Sequence, residues 1–268
     1  MIRLLKLELL KAKPAKFFWV LLVLYGLILF SIPLGVLGLG DWLATFLPQE
    51  YNFDNINFFF DWQDIWQNMT FLMQFSTYFF LNALVIIHVA REFSLKTARQ
   101  NVIDGLSKAQ FVWSKVYFIL FMAFMLTLLV FGLCIIFATI ESPALSFEMM
   151  IENIHFIPAY FVHLLQSMTF AMLLAVLIRK PGIAVVVSFG YIWFDLLLSA
   201  FFRFEFDLPL LGSMFPVYSQ YSLIDSPFLK FILSEVNTSV EPGALMISIG
   251  WIIANVAISH RIVHKRNL

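Results

Sequence analysis

Side chains able to do chemistry are sparse in this chain, and the familiar catalytic arrangements are missing. The sequence contains no HExxH helix for a metal, no GxSxG nucleophile turn, no CxxC pair and no GxxxxGK[ST] phosphate loop. Its histidines (His88, His155, His163, His260 and His264) are scattered, and only His163 falls well inside a long apolar run, so no metal set is expected. The single cysteine, Cys134, can form no intrachain disulfide. We therefore expect no catalysis from the chain itself. What remains is a set of polar residues placed inside apolar runs. Asp195 shares a helical face with Ser188, Tyr191 and Ser199, through spacings of three and four residues. Similar stripes are Gln74, Tyr78 and Asn82, then Tyr160, His163 and Ser167, then Ser248, Asn255 and Ser259. A carboxylate such as Asp195 costs about 2.5–3.5 kcal/mol at the centre of a membrane helix. Two uses would offset that: interhelical hydrogen bonds, each worth about 0.6 kcal/mol, or the lining of a substrate path or subunit interface. Asp195, Ser188, Tyr191, Ser199, Asn82 and His163 are the candidates for the second.

The other concentration of chemistry is Arg91–Lys115, REFSLKTARQNVIDGLSKAQFVWSK, with Arg91, Lys96, Arg99, Lys108 and Lys115 against Glu92 and Asp104. Leu95, Ala98, Val102, Ile103 and Leu106 recur among these charges at helical spacing, which predicts a short amphipathic helix. A solvated linker has no need of those apolar residues. The pattern suggests a handle for something outside the membrane.

These residues must be held by membrane helices. The chain has 268 residues, 61% hydrophobic and 13% charged, against about 25% charged in soluble domains. Six runs are long enough to cross a bilayer: 17–39, 69–90, 116–140, 156–178, 183–202 and 243–260. They do not alternate apolar with polar, as barrel strands do, so an all-α polytopic fold is expected, a single domain over 17–268. The first run, without a small-residue cleavage site after it, is too long for a signal peptide. With both termini on one side, only Arg203 and Lys230 of 17 Lys and Arg residues lie opposite. The positive-inside rule then places both termini in the cytoplasm. Residues 1–16, MIRLLKLELLKAKPAK, form a basic amphipathic segment with Ile2, Leu5 and Leu9 on one face, expected to lie in the interface before Pro14 breaks it. Outside, Asp41–Asn68 is acidic and aromatic, with Trp42, Trp62 and Trp66 expected at headgroup level. In the outer loop 203–242, Leu208–Met214 and Phe228–Leu233 are too apolar for open water. Part of it should dip into the outer leaflet or cap the bundle. Inside, Arg179–Gly182 is a tight turn.

The insert also carries a resemblance. Glu92, Lys96-Thr97, Asp104-Gly105-Leu106-Ser107-Lys108, Phe111 and Lys115 together resemble the first cytoplasmic loop of ABC-2-type exporter permeases. In that family an acid leaves the second span, a Gly/Lys-Thr pair follows, then a Pro/Gly-hydrophobic-Ser-Arg turn, then a Lys enters the third. Here Lys108 stands where Arg is commoner, keeping charge but losing the planar fork of donors. The opening RLLKLELLK is similar to the family's interfacial connecting helix, and the loop before the last span to its re-entrant outer element. The resemblance implies a six-span permease subunit in the bacterial cytoplasmic membrane. It implies pairing with a second permease subunit, identical or not, around a path for a lipid-like, peptide or other amphipathic cargo. A separate cytoplasmic ATPase, which would hold ATP and Mg, would dock on Glu92, Lys96, Thr97, Arg99, Asp104, Gly105, Leu106, Ser107 and Lys108. Membrane lipid is a partner, and nucleic acid is not expected. The alternative is a secondary transporter or channel with no ATPase.

Orientation is testable directly. A cysteine at Asp61 should react with an impermeant thiol reagent on intact cells, and a cysteine at Ser107 only after lysis; the reverse pattern inverts the topology.

Overall fold

A computed structural model describes residues 2–46, 59–142, 146–227 and 239–266, with the side chains of 39–46 outside the description; all regular structure among the described residues is helical. In chain order the helices are α1 (Ile2–Ala12), α2 (Lys16–Phe46) and α3 (Ile65–Ser76), a π-helical turn (Thr77–Leu81), then α4 (Asn82–Ser94), α5 (Thr97–Ile103) and α6 (Lys108–Glu141). There follow α7 (Phe147–Ile151), α8 (Phe156–Ile178), α9 (Pro181–Phe204), α10 (Pro209–Ser213), α11 (Pro216–Tyr221) and α12 (Pro242–Lys265). Six of the resulting segments are long and apolar enough to cross a membrane: α2, α3–α4, α6, α7–α8, α9 and α12.

α8 is the hub, packing against α4, α6, α9 and α12. Its buried Ala159, Ser167, Ala171 and Ala175 leave room for neighbouring backbones, the device that lets helices approach in lipid. α2, α9 and α12 are the least buried spans, with Val186, Trp193 and Leu197 exposed on α9. Four prolines (Pro181, Pro209, Pro216 and Pro242) stand at helix starts, where the missing N–H costs nothing.

One end of the bundle gathers α1, the turn from α4 to α6, the α8–α9 turn and the end of α12. Glu8 of α1 meets Lys115 of α6, Lys108 reaches the carbonyls of His264 and Arg266, and Arg266 reaches the carbonyl of Leu177. We call this the basic end.

The spans overrun their sequence limits at this end. α4 continues to Ser94 and α6 begins at Lys108, so the insert shrinks to 95–107 with a helix of only two turns. The expected single apolar face is split. Ala98 is buried and Leu106 is half-buried against the chain's own core, whereas Leu95 and Ile103 stand 62% and 67% exposed. On α1, Leu5 and Leu9 pack inward but Ile2 is exposed.

At the opposite end, Trp62 and Trp66 do not lie on the surface. Both are buried, donating to the carbonyls of Ser142 and Met150 at 3.1 and 3.0 Å, because α3 starts four residues before the expected span and draws them under the α6–α8 connection. The side chain of Trp42 lies outside the described residues, as does Phe228–Leu233. Leu208–Met214 leave the surface apolar, with Leu210 exposed, but α11 turns inward: Pro216, Val217, Ser219 and Gln220 are all buried between spans.

Candidate functional site

The Asp104-Gly105-Leu106-Ser107-Lys108 stretch is punctuation between two helices. Gly105 adopts φ +99°, and the N–H groups of Gly105 and Leu106 reach back to the carbonyls of Val102 and Asn101. This is a Schellman stop, and positive φ is why glycine is needed there. Two residues on, Ser107 and Gln110 form a capping box that starts α6. Lys108 then neutralises the other terminus in reach: its Nζ donates to His264 O and Arg266 O, both at 3.1 Å, favourable for a cation at a helix C-terminus.

Beneath this turn lies a buried ion cluster. Lys115, 1% exposed, donates from Nζ to Glu8 Oε2 and to Glu92 Oε1. Lys11 donates to Glu8 Oε1 at 3.1 Å and to both oxygens of Glu92 at 3.2 Å. Ser114 and His88 each reach Glu8 at 2.9 Å, and Asn101 reaches Glu92 at 3.1 Å. Two carboxylates thus face two ammonium groups, and each spare lone pair has a donor. Burial by itself would raise the Glu8 pKa. The Lys115 charge, with His88 and Lys11 beside it, overrides that and holds Glu8 well below the usual carboxylate range. Glu8, His88 and Glu92 have the ligand spacing for a divalent cation, but the Lys115 ammonium already sits between the carboxylates, and a metal would have to displace it.

Of the residues expected to dock a partner, Glu92 and Lys108 therefore point into the protein. Thr97 donates to Glu92 O at 3.3 Å, Asp104 accepts from Gln100 at 2.8 Å, and Lys96 starts α5 at φ +59°. Lys96, Arg99, Asp104 and Ser107 remain exposed, flanked by Leu95 and Ile103.

The polar stripes converge on α10 and α11. Asp195 is fully buried, and its Oδ1 accepts from the backbone N–H of Val217 and Tyr218 at 3.1 and 3.0 Å, with the Tyr191 hydroxyl beside it. A carboxylate on the orphan N–H groups of a helix start is a remote N-cap. Ser199 donates to Gly212 O at 2.7 Å, Gln166 to Pro216 O at 2.8 Å, Ser248 to Ser219 O at 3.3 Å and Trp251 to Met214 O at 2.8 Å. Tyr78 donates to the Gln220 side chain, and His163 Nδ1 to the Gln220 carbonyl at 3.4 Å. Side chains from four spans thus satisfy one irregular segment, which lipid would not tolerate otherwise. Gly212 is required by close approach: a Cβ there would lie 2.8 Å from Ser199 O and 2.2 Å from Arg203 Cγ. Ser188 is buried on the same face of α9, and Asn82 accepts from Ser167 at 2.8 Å, a bond between α4 and α8.

Sequence reasoning missed Glu8, Lys11, Gln166, Gln220 and Gly212. The only available signal for Glu8 was that it is the one acid in a basic segment, on the face of Leu5, Leu9 and Ala12. No family model, curated protein or solved structure matches the chain.

Because Glu8 is held low, its contribution to stability is present above the ordinary carboxylate range and is lost as pH falls below that range toward the depressed value. Melting temperature in detergent should hold from neutrality to mildly acidic pH and fall in stronger acid. Glu8→Gln should lose about 3–5 kcal/mol near neutrality and show a shallower acid limb. At the other end, Asp195→Leu strands two buried N–H groups at about 1–3 kcal/mol each, while Asp195→Asn keeps an acceptor and should cost about 1 kcal/mol. Gly212→Ala should lower yield and melting temperature far more than Gly190→Ala, whose Cβ meets nothing within 4 Å. Equal losses for both glycines would show that the hairpin is not tightly held.

Proposed function

We propose that the chain is the membrane-spanning permease subunit of an ATP-driven exporter, and that a separate ATPase docks on the basic end, in the cytoplasm. The observation that carries this is how the exposed 95–107 turn is bound to the rest of the molecule. Glu92 ties its root to α1 and α6 through Lys115 and Lys11, and Lys108 ties its far side to the end of α12. A solvated loop needs no such anchoring. A lever does, because force on α5 must pass to the spans as a rigid-body displacement rather than dissipate in a flexible link. What the turn leaves uncovered, Leu95 and Ile103 among Lys96 and Arg99, has the composition of a partner surface, apolar anchors inside a charged rim.

The resemblance of the insert to ABC-2 permeases supports the same reading. It adds a second permease subunit, ATP and Mg on the partner, a bacterial cytoplasmic membrane and an amphipathic cargo. The cradled α10–α11 hairpin sits at the outer mouth in this scheme, pinned by α9 and α12. Span α12 is therefore bonded at one end to the lever and at the other to the hairpin. A carrier or channel without an ATPase is the alternative, with buried His163 and Asp195 as its candidate coupling groups.

Affinity purification in mild detergent separates the two. A soluble ATPase should accompany the chain, and Ile103→Asp should weaken its binding about 30-fold, as expected when an anchor worth about 2 kcal/mol is lost, with the permease still folded. Leu106→Asp, which strikes the chain's own core, should lower stability as well as docking. Purification of the chain alone, or an ATPase unaffected by Ile103→Asp, favours the alternative.

A further inference from the structure

An open furrow of about 660 Å³ runs along the outside of the bundle, walled by α6 and α12 and floored by α8. Val116, Ile119 and Leu120 form one wall, Ile252 and Val256 the other, and Leu165 the floor. The polar group in the floor, Thr169 Oγ1, is taken up internally: it donates to Gln166 O at 3.0 Å and accepts from Asn255 at 3.5 Å. The surface offered is therefore apolar along its length. At its basic-end mouth stand Trp113, 45% exposed and stacked on Tyr117 at 5.9 Å, and the pair His260 and Arg261. Neither His260 nor Arg261 forms a salt bridge among the described residues.

We propose that this furrow holds one acyl chain of an anionic phospholipid, with the lipid phosphate on Arg261 and His260. Two features select that occupant. The walls run from Val112 to Leu120 on α6 and from Ile252 to Arg261 on α12, about 12–14 Å at helical rise. That matches one leaflet, half of a core about 30 Å thick. Charge complementarity supplies the second: the mouth is cationic, with a tryptophan at the level where headgroups begin. The site is separate from the docking turn and does not depend on any ATPase.

Native mass spectrometry of the delipidated, detergent-purified full chain, titrated with phosphatidylglycerol or phosphatidylcholine, tests this. The wild type should retain one phosphatidylglycerol in preference to phosphatidylcholine. Arg261→Gln should weaken phosphatidylglycerol at least tenfold and phosphatidylcholine, whose phosphate is balanced by its own choline, much less, and Ala257→Trp, which fills the furrow, should displace both. Lys265→Gln, on the same helix but outside the furrow, should change nothing; an equal loss there would mean unspecific charge attraction and would overturn the site. Unaltered lipid binding in both furrow variants overturns it as well. So does an Ala257→Trp chain that keeps its lipid but loses a second protein copy, since the furrow would then be a protein interface. Far-ultraviolet circular dichroism of each variant confirms that the helices are intact.

Discussion

The basic end rests on one buried ammonium. Lys115 sits between Glu8 and Glu92, and through it three parts of the chain distant in sequence are joined: the N-terminal helix, the end of the second span and the start of the third. An unpaired charge in that position would cost several kcal/mol, so each of the three is held by the presence of the other two. The cluster gains little stability over a well-packed apolar substitute. What it gains is register, because charges and donors must meet in one arrangement, whereas leucines can repack in several. This explains why α1 lies against α6 instead of floating in the interface as a basic amphipathic segment could. It also explains why Glu92 serves the interior while Leu95, Ile103, Lys96 and Arg99 stay exposed.

At the other end the governing constraint is the backbone. A segment that turns back between membrane helices exposes amides and carbonyls that no lipid can satisfy. Side chains on α8, α9, α12 and the π-helical turn supply what is missing: Asp195 caps the start of α11, Tyr78 donates to the Gln220 side chain, and Ser199, Gln166, Ser248, Trp251 and His163 take the carbonyls of α11 and those of α10. Of the uses considered for these stripes, hydrogen bonding is the one the structure displays. They are hydrogen-bond glue, but most of the glue joins spans to a hairpin rather than spans to one another. The π-helical turn at Thr77–Leu81 belongs to the same construction, since it accompanies the burial of Tyr78 while Phe79 faces outward.

The two ends are connected by α12. Its last turn receives Lys108 from the 95–107 turn, and its first turns hold α11 and the carbonyl of Met214. Between them its outward face forms a wall of the furrow, while its inward Asn255 reaches α8. One helix therefore bonds to both ends of the molecule, and its outward face lines the furrow between them.

The sequence by itself determined the membrane helices, their number and the ends on which charge accumulates, because hydropathy and the cost of bare backbone in lipid are properties of local runs. It also placed the break at Pro14, which depends on a few adjacent residues. It did not reveal which charges are buried. Glu8 and Lys115 are 107 residues apart, and nothing near either one announces that they meet. For the same reason Trp62 and Trp66 read as headgroup anchors when they are buried donors, and Leu106 read as an outward anchor when it closes a Schellman turn against the core. Periodicity says that residues share a face; only the packing of α1, α6 and α8 decides what that face meets. Gly212 is the limiting case. Its lack of a side chain has no local cause, and the reason for it, the backbone of Ser199 pressed against it, exists only once the chain has folded.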